Sequence, residues 1–106
     1  MGRSIILVVV SLAVAGSFAS LAEEVEVKGR GTVDLEDFVC AVPRKQSMLN
    51  RFCYDEVARF LIVEINSNWY QHCGVSQKAL YGLILTETVS SYYNTRIRPL
   101  KCRGSE

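Results

Sequence analysis

The sequence predicts a small α+β domain: an antiparallel three-stranded β-meander packed against one amphipathic helix, with an N-terminal arm and a C-terminal tail held by disulfides. Three observations predict it. Three short runs of β-favouring residues separated by turn chemistry occupy the middle of the chain, a helical stripe follows them, and four cysteines bracket the whole. A chain of 106 residues with 12 Lys and Arg against 11 Asp and Glu has room for one domain of this kind, and its balance excludes a strongly charged nucleic-acid tail.

The segment 1–22 lies outside that domain. Arg3 precedes the uncharged run 5–15, and the small residues Ala19, Ser20 and Ala22 follow, which is the pattern of a secretory signal peptide cut after Ala22. The apolar run is shorter than the ~20 residues that span a bilayer, and Gly16, Ser17 and Ser20 interrupt it. A lipid-anchored form needs a cysteine just after the cut, whereas the first is Cys40. The expected location is periplasmic or secreted, with no stable membrane span after cleavage. The remainder, 23–106, balances its acidic and basic side chains but distributes them unevenly. Residues 23–37 hold six acids against Lys28 and Arg30, and residues 44–106 hold nine bases against five acids.

Residues 23–32 are polar and punctuated by Gly29 and Gly31, and read as a flexible or edge-strand lead. Residues 33–42 have scattered apolar positions ahead of Pro43, and Pro disfavours helix at the residue before it, so this part reads as an irregular or short extended segment fixed by Cys40. The two together make an arm, 23–46. The compact domain is expected over 47–103. Its strands are residues 47–54, 58–65 with Phe60, Leu61, Ile62, Val63 and Ile65, and 69–73; Asp55 and Glu56 form the first turn, and Asn66, Ser67 and Asn68 the second. Ser76 is a plausible N-cap, and Ala79, Leu80, Leu83 and Ile84 share one helical stripe, so 77–88 reads as the helix, punctured by Gly82.

The spacings between Cys40, Cys53, Cys73 and Cys102 match no CxxC redox or zinc pattern, and the chain has a single histidine. Two structural cystines fit an exported chain of this size, because its modest core leaves cross-links to restrict the unfolded ensemble. In a meander of order 1-2-3, Cys53 and Cys73 flank the middle strand ~9 to 10 Å apart, too far to bridge. Two connectivities remain: Cys40 to Cys53 with Cys73 to Cys102, which is slightly favoured, and Cys40 to Cys73 with Cys53 to Cys102.

The stretch 47–98 carries a resemblance. Tyr54-Asp55 after the first strand, the apolar strand ending at Ile65, Tyr70-Gln71-His72, Gly74-Val75, the helix, and Tyr92-Tyr93-Asn94 followed by Ile97-Arg98 resemble the KTSC domain, a family named after the C-terminus of some lysyl-tRNA synthetases. The resemblance covers about half of the chain. It implies a small meander-plus-helix domain without established enzymatic activity, for which RNA binding has been suggested. The chain departs from the family pattern at three places: Tyr-x-Tyr is Tyr70-Gln71-His72, the Gly before the aromatic pair is Ser90, and the Pro after the valine is Ser76. Ser90 is expected to take a left-handed conformation at the helix end. The export signal and the four cysteines set it apart from cytosolic members.

No catalytic or cofactor motif stands out, so neither an enzyme nor a cofactor is expected. Consecutive strand residues point to opposite faces, which separates His72 from Cys73 and removes a Cys-His nucleophile. Asp55 and Glu56 are placed to cap or solvate their turn. The candidate binding surface is Tyr70, His72, Tyr92, Tyr93, Asn94, Arg96 and Arg98. Residues 70 and 72 share a strand face, and an uncovered face there forms a stacking platform with arginines beside it; the favoured alternative is that the same rings pack the post-helix segment onto the sheet. Arg96, Arg98, Lys101 and Arg103 form a basic run. The expected function is a non-catalytic binding module, with a protein partner in the cell envelope or outside the cell, or alternatively with single-stranded nucleic acid or RNA.

Overall fold

The computed structural model describes residues 23–103; the signal peptide expected over residues 1–22 lies outside them. Six strands form one sheet: β1 (Glu24–Val27), β2 (Gly31–Asp34), β3 (Val39–Ala41), β4 (Leu49–Asp55), β5 (Phe60–Ile65) and β6 (Asn68–His72). Their spatial order is β2-β1-β6-β5-β4-β3. All neighbours are antiparallel except β1 and β6, which run parallel. The sheet curls into a half-barrel. This corrects the three-stranded meander against one helix: β4, β5 and β6 are that meander, and the arm extends it on both sides. The stretch resembling the KTSC domain therefore supplies only half of the strands.

The arm forms strands because its sequence alternates. Val25 and Val27 point one way between Glu24 and Glu26, and Val27 is buried. The hairpin to β2 closes through Gly29 and Gly31, at φ 81° and 101°, conformations that L side chains rarely adopt. The Val27 end of β1 docks beside β6, where the Lys28 amide donates to the Trp69 carbonyl at 2.9 Å. On the opposite margin, β3 pairs with β4 and sets Cys40 directly across from Cys53, and the two are disulfide-bonded. Cys73 joins Cys102, so the favoured connectivity is the observed one.

The expected turns form with shifted bounds, at residues 56–59 and 66–67, because Asp55 ends β4 and Asn68 begins β6. Asp55 Oδ1 accepts from the Val57 and Ala58 amides, and Asn66 and Ser67 both take positive φ, as a two-residue hairpin turn of the primed type requires. Between Leu49 and Arg51 the register of β4 shifts, which keeps Leu49 and Phe52 on the same face.

Ser76 caps α1 (Gln77–Leu85) by accepting from the Ala79 amide at 3.0 Å. The helix stops short of the expected end at residue 88. Thr86 closes it, and the Thr86 hydroxyl accepts from the Thr88 amide, a local bond that competes with helix continuation. A second helix, α2 (Val89–Tyr92), runs directly into one π-helical turn, Tyr93–Ile97. Ser90 sits inside α2, and the described non-glycine residues at positive φ are Arg59, Asn66 and Ser67, so the expected left-handed Ser90 is not found. Gly82 admits the Tyr92 ring instead of a strand: a Cβ there would stand 2.0 Å from the Tyr92 hydroxyl oxygen.

Each sheet face carries a buried cluster. The helices cover Leu49, Phe52, Tyr54, Leu61 and Val63 with Leu80, Leu83, Val89, Tyr93 and Ile97. On the other face Val27, Leu35, Cys53, Phe60, Ile62, Trp69 and Cys102 form a second cluster. That is why β5 reads as a continuous apolar run, Phe60 through Val63, rather than an alternating one.

Candidate functional site

The rings expected to make a platform divide between core and cleft. His72 and Tyr93 are only 5 % and 4 % exposed. The Leu100 carbonyl can only accept, so His72 carries its hydrogen on Nδ1, 3.2 Å away, and Nε2 accepts from the Tyr93 hydroxyl at 2.7 Å. Burial holds the imidazole down to about 4; the Leu100 hydrogen bond opposes that, and the positive charges of Lys101 and Arg98 add to it. Burial also pushes the Tyr93 hydroxyl up to about 12, with Arg98 pulling the other way. At neutral pH the pair is an uncharged hydrogen-bonded strut between sheet, π-turn and tail. The Cys73–Cys102 disulfide lies next to it in sequence, and the Cys73 amide donates to the same Leu100 carbonyl.

Tyr92 is half-buried, and its hydroxyl donates to the Ala79 carbonyl at 2.9 Å over Gly82. Three of the four expected platform rings thus hold the fold together, and two of them, His72 and Tyr93, also line the cleft over Tyr70. Tyr70 remains. It is half-buried on the helix face and forms part of the floor of a cleft of about 660 Å³. Asn94 and Arg98, both exposed, line the same cleft, and Asn94 Oδ1 accepts from the Arg98 guanidinium at 3.3 Å. Arg96 is exposed on the π-turn and is not among the lining residues.

Residues that the sequence reading did not gather complete the cleft. Met48 and Ile65 extend its apolar floor beyond Tyr70, and Lys28, Gln71 and Lys101 stand at its margin. The missing signal is the parallel docking of β1 beside β6, which brings Lys28 to Trp69 from the opposite end of the described chain. Among the described lining residues there are three cations and no carboxylate.

A second, smaller hollow on the arm face is lined by Arg30, Phe38, Phe60 and Cys73. The Arg30 guanidinium forms part of its wall, stacking 4.3 Å from the Phe60 ring centre and donating to Gln71. Among the described residues no group of three or more His, Cys, Asp or Glu side chains is placed to hold a metal ion. No helix among them is long and apolar enough to cross a membrane. All four cysteines are in disulfides, so no described thiol is available as a nucleophile.

Compared with family models, with curated proteins and with solved structures, the chain shows no match in any of the three.

Proposed function

We propose that this protein is an exported, disulfide-stapled binding module that takes a small ligand in the cleft over Tyr70 and performs no chemistry on it. The cleft carries the reading: its volume of about 660 Å³ falls in the ~300 to 1,000 Å³ range of small-molecule sites. A mainly apolar floor with a few polar groups at the margin is the usual composition of such a site. The two disulfides fit an oxidising compartment. The resemblance to the KTSC domain supports a non-catalytic role and leaves the ligand open. A stacking platform for single-stranded nucleic acid needs several open rings, and here His72, Tyr92 and Tyr93 are committed to internal hydrogen bonds, which favours a small ligand.

Two measurements test the two halves of the proposal. The intact mass of the natively expressed protein, alkylated before and after reduction, is expected to start at Glu23 and to take up alkylating agent only after reduction. An unprocessed chain with reactive thiols contradicts export. For the binding half, amide chemical shifts are followed during titration with a panel of anionic, cationic, sugar and nucleotide compounds. At least one class is expected to shift Tyr70, Asn94 and Arg98 together, and to stop doing so in the cleft-filling variant Asn94→Trp. Shifts that never converge on the cleft contradict it.

A further inference from the structure

We infer that the ligand of this cleft is a single-chain amphiphile with an anionic head, a carboxylate or a phosphate, whose tail lies along Ile65 and Met48 and whose head meets Arg98 and Lys101. The inference rests on the cleft being the binding site and adds the chemistry of what fills it.

The cleft is polarised along β6. Ile65 lies opposite Asn68 at one end of that strand, and Leu49, which follows Met48, is paired with Ile65. His72 lies at the other end, hydrogen-bonded to the Leu100 carbonyl next to Lys101. From Asn68 to His72 the strand advances about 13 Å at ~3.3 Å per residue, which sets the distance between the apolar and cationic ends. Tyr70 lies between them, with Lys28 at the margin beside Trp69.

Charge gives the sign of the ligand. Arg44, Lys45 and Arg51 each pair with a carboxylate, of Glu87 or Glu23. Lys28, Arg98 and Lys101 make no ion pair among the described residues, yet all three line one cleft that has no described carboxylate. In a chain of net charge +1 such clustering is local rather than a general basic surface. Asn94 holds the Arg98 guanidinium by one hydrogen bond, leaving donors for a planar or tetrahedral anion. The apolar floor gives the other half of the ligand, because Met48, Ile65 and Tyr70 are only partly covered by the core they pack against and an alkyl chain would bury them further.

The test is a titration of the disulfide-intact protein with decanoate, decyl phosphate, octanoate, decyltrimethylammonium and inorganic phosphate, read by amide chemical shifts. Decanoate or decyl phosphate is expected to shift Tyr70, Asn94, Arg98 and Lys101, and the tighter of the two identifies the head. Octanoate, shorter by two methylenes, is expected to bind about 15-fold more weakly than decanoate. Inorganic phosphate and decyltrimethylammonium, each carrying half of the required chemistry, are expected not to saturate. The exposed double variant Arg98→Glu, Lys101→Glu is expected to weaken decanoate at least ~10-fold while leaving the shifts of buried residues in place. If the cationic amphiphile binds as well as the anionic one, or if only sugars or nucleotides shift the cleft, the inference fails and the cleft remains a binding site. If no compound of any class shifts it, the binding-module reading fails as well.

Discussion

The two faces of the sheet are closed by different means. On the arm face, chain segments far apart in sequence reach across the curl: Arg51 donates twice to the Glu23 carboxylate at 2.7 Å, its guanidinium lies 5.7 Å from the Trp69 ring centre, and Phe38 meets Phe60 edge to face. The Arg51 hydrogen bonds hold the Glu23 carboxyl below the usual carboxylate range. On the other face, cover comes mainly from the helices and the π-turn, with Val75 and Leu100 beside them. A helix as short as α1 is about 13 Å long, whereas six strands span about 24 Å. The helices therefore seal Leu61 and Val63 and leave the end of that face at Ile65 and Tyr70 open. The arm, with its own strands, closes one face; the short helices leave a site on the other.

The largest effects come from residues that alternate between the faces along β5. Leu61 and Ile62 are both fully buried, one toward the helices and one toward the arm. Leu61→Ala and Ile62→Ala are each expected to cost about 3 to 4 kcal/mol in chemical denaturation. Ile65→Ala, on the helix face at the cleft, is expected to cost about 1 kcal/mol. A small cost at Ile62 together with a large one at Ile65 would reverse the comparison.

Acid sharpens the comparison at the strut between sheet and tail. The folded-state pKa of His72, about 4, lies below its ordinary value of 6.5. Its neutral form therefore contributes stability that is fully present above pH 6.5 and is lost as pH falls through 4. Between those limits the protein is expected to lose about 3 kcal/mol through this group. His72→Gln is expected to flatten that part of the stability profile, measured by urea midpoints from pH 7 to 4. An unchanged slope would mean that the imidazole is not held neutral by burial.

The smallest effect is at the helix-helix contact. Gly82→Ala gains helix propensity of about 1 kcal/mol but displaces the Tyr92 ring and its hydrogen bond to Ala79, an overpacking cost of about 2 kcal/mol. The net expectation is a loss of roughly 1 kcal/mol. In a Tyr92→Ala background the same substitution is expected to become stabilising, which thermal denaturation of the two pairs checks.

What is legible in the sequence is what local pattern determines. The strands of the meander fall close to their expected bounds, because Asp55, Asn66 and Ser67 announce their turns and β5 has strand length. The Ser76 cap is legible for the same reason. The arm is not, although the alternation of Glu24 to Val27 and the paired glycines are present, since short polar strands carry little signal until a neighbouring strand supplies the ladder. The helix ends early because Thr86 and Thr88 stop it through side-chain bonds that periodicity does not register. For the site, residue types are legible and their placement is not. Tyr70, His72, Tyr93, Asn94 and Arg98 converge on one cleft, His72 and Tyr93 as buried parts of its wall because the tail returns the Leu100 carbonyl to His72. Lys28, Met48 and Lys101 join through contacts between distant parts of the chain, which no local pattern encodes.

The most direct test of an open helix face beside a sealed arm face is methyl NMR in the presence of a small soluble nitroxide. The Met48 and Ile65 methyl signals are expected to broaden strongly, while those of Leu61, Ile62 and Val63 on the same strand or the neighbouring part of the sheet stay sharp. Equal protection of Ile65 and Ile62 would mean that the cleft over Tyr70 is closed in solution, and would contradict the account.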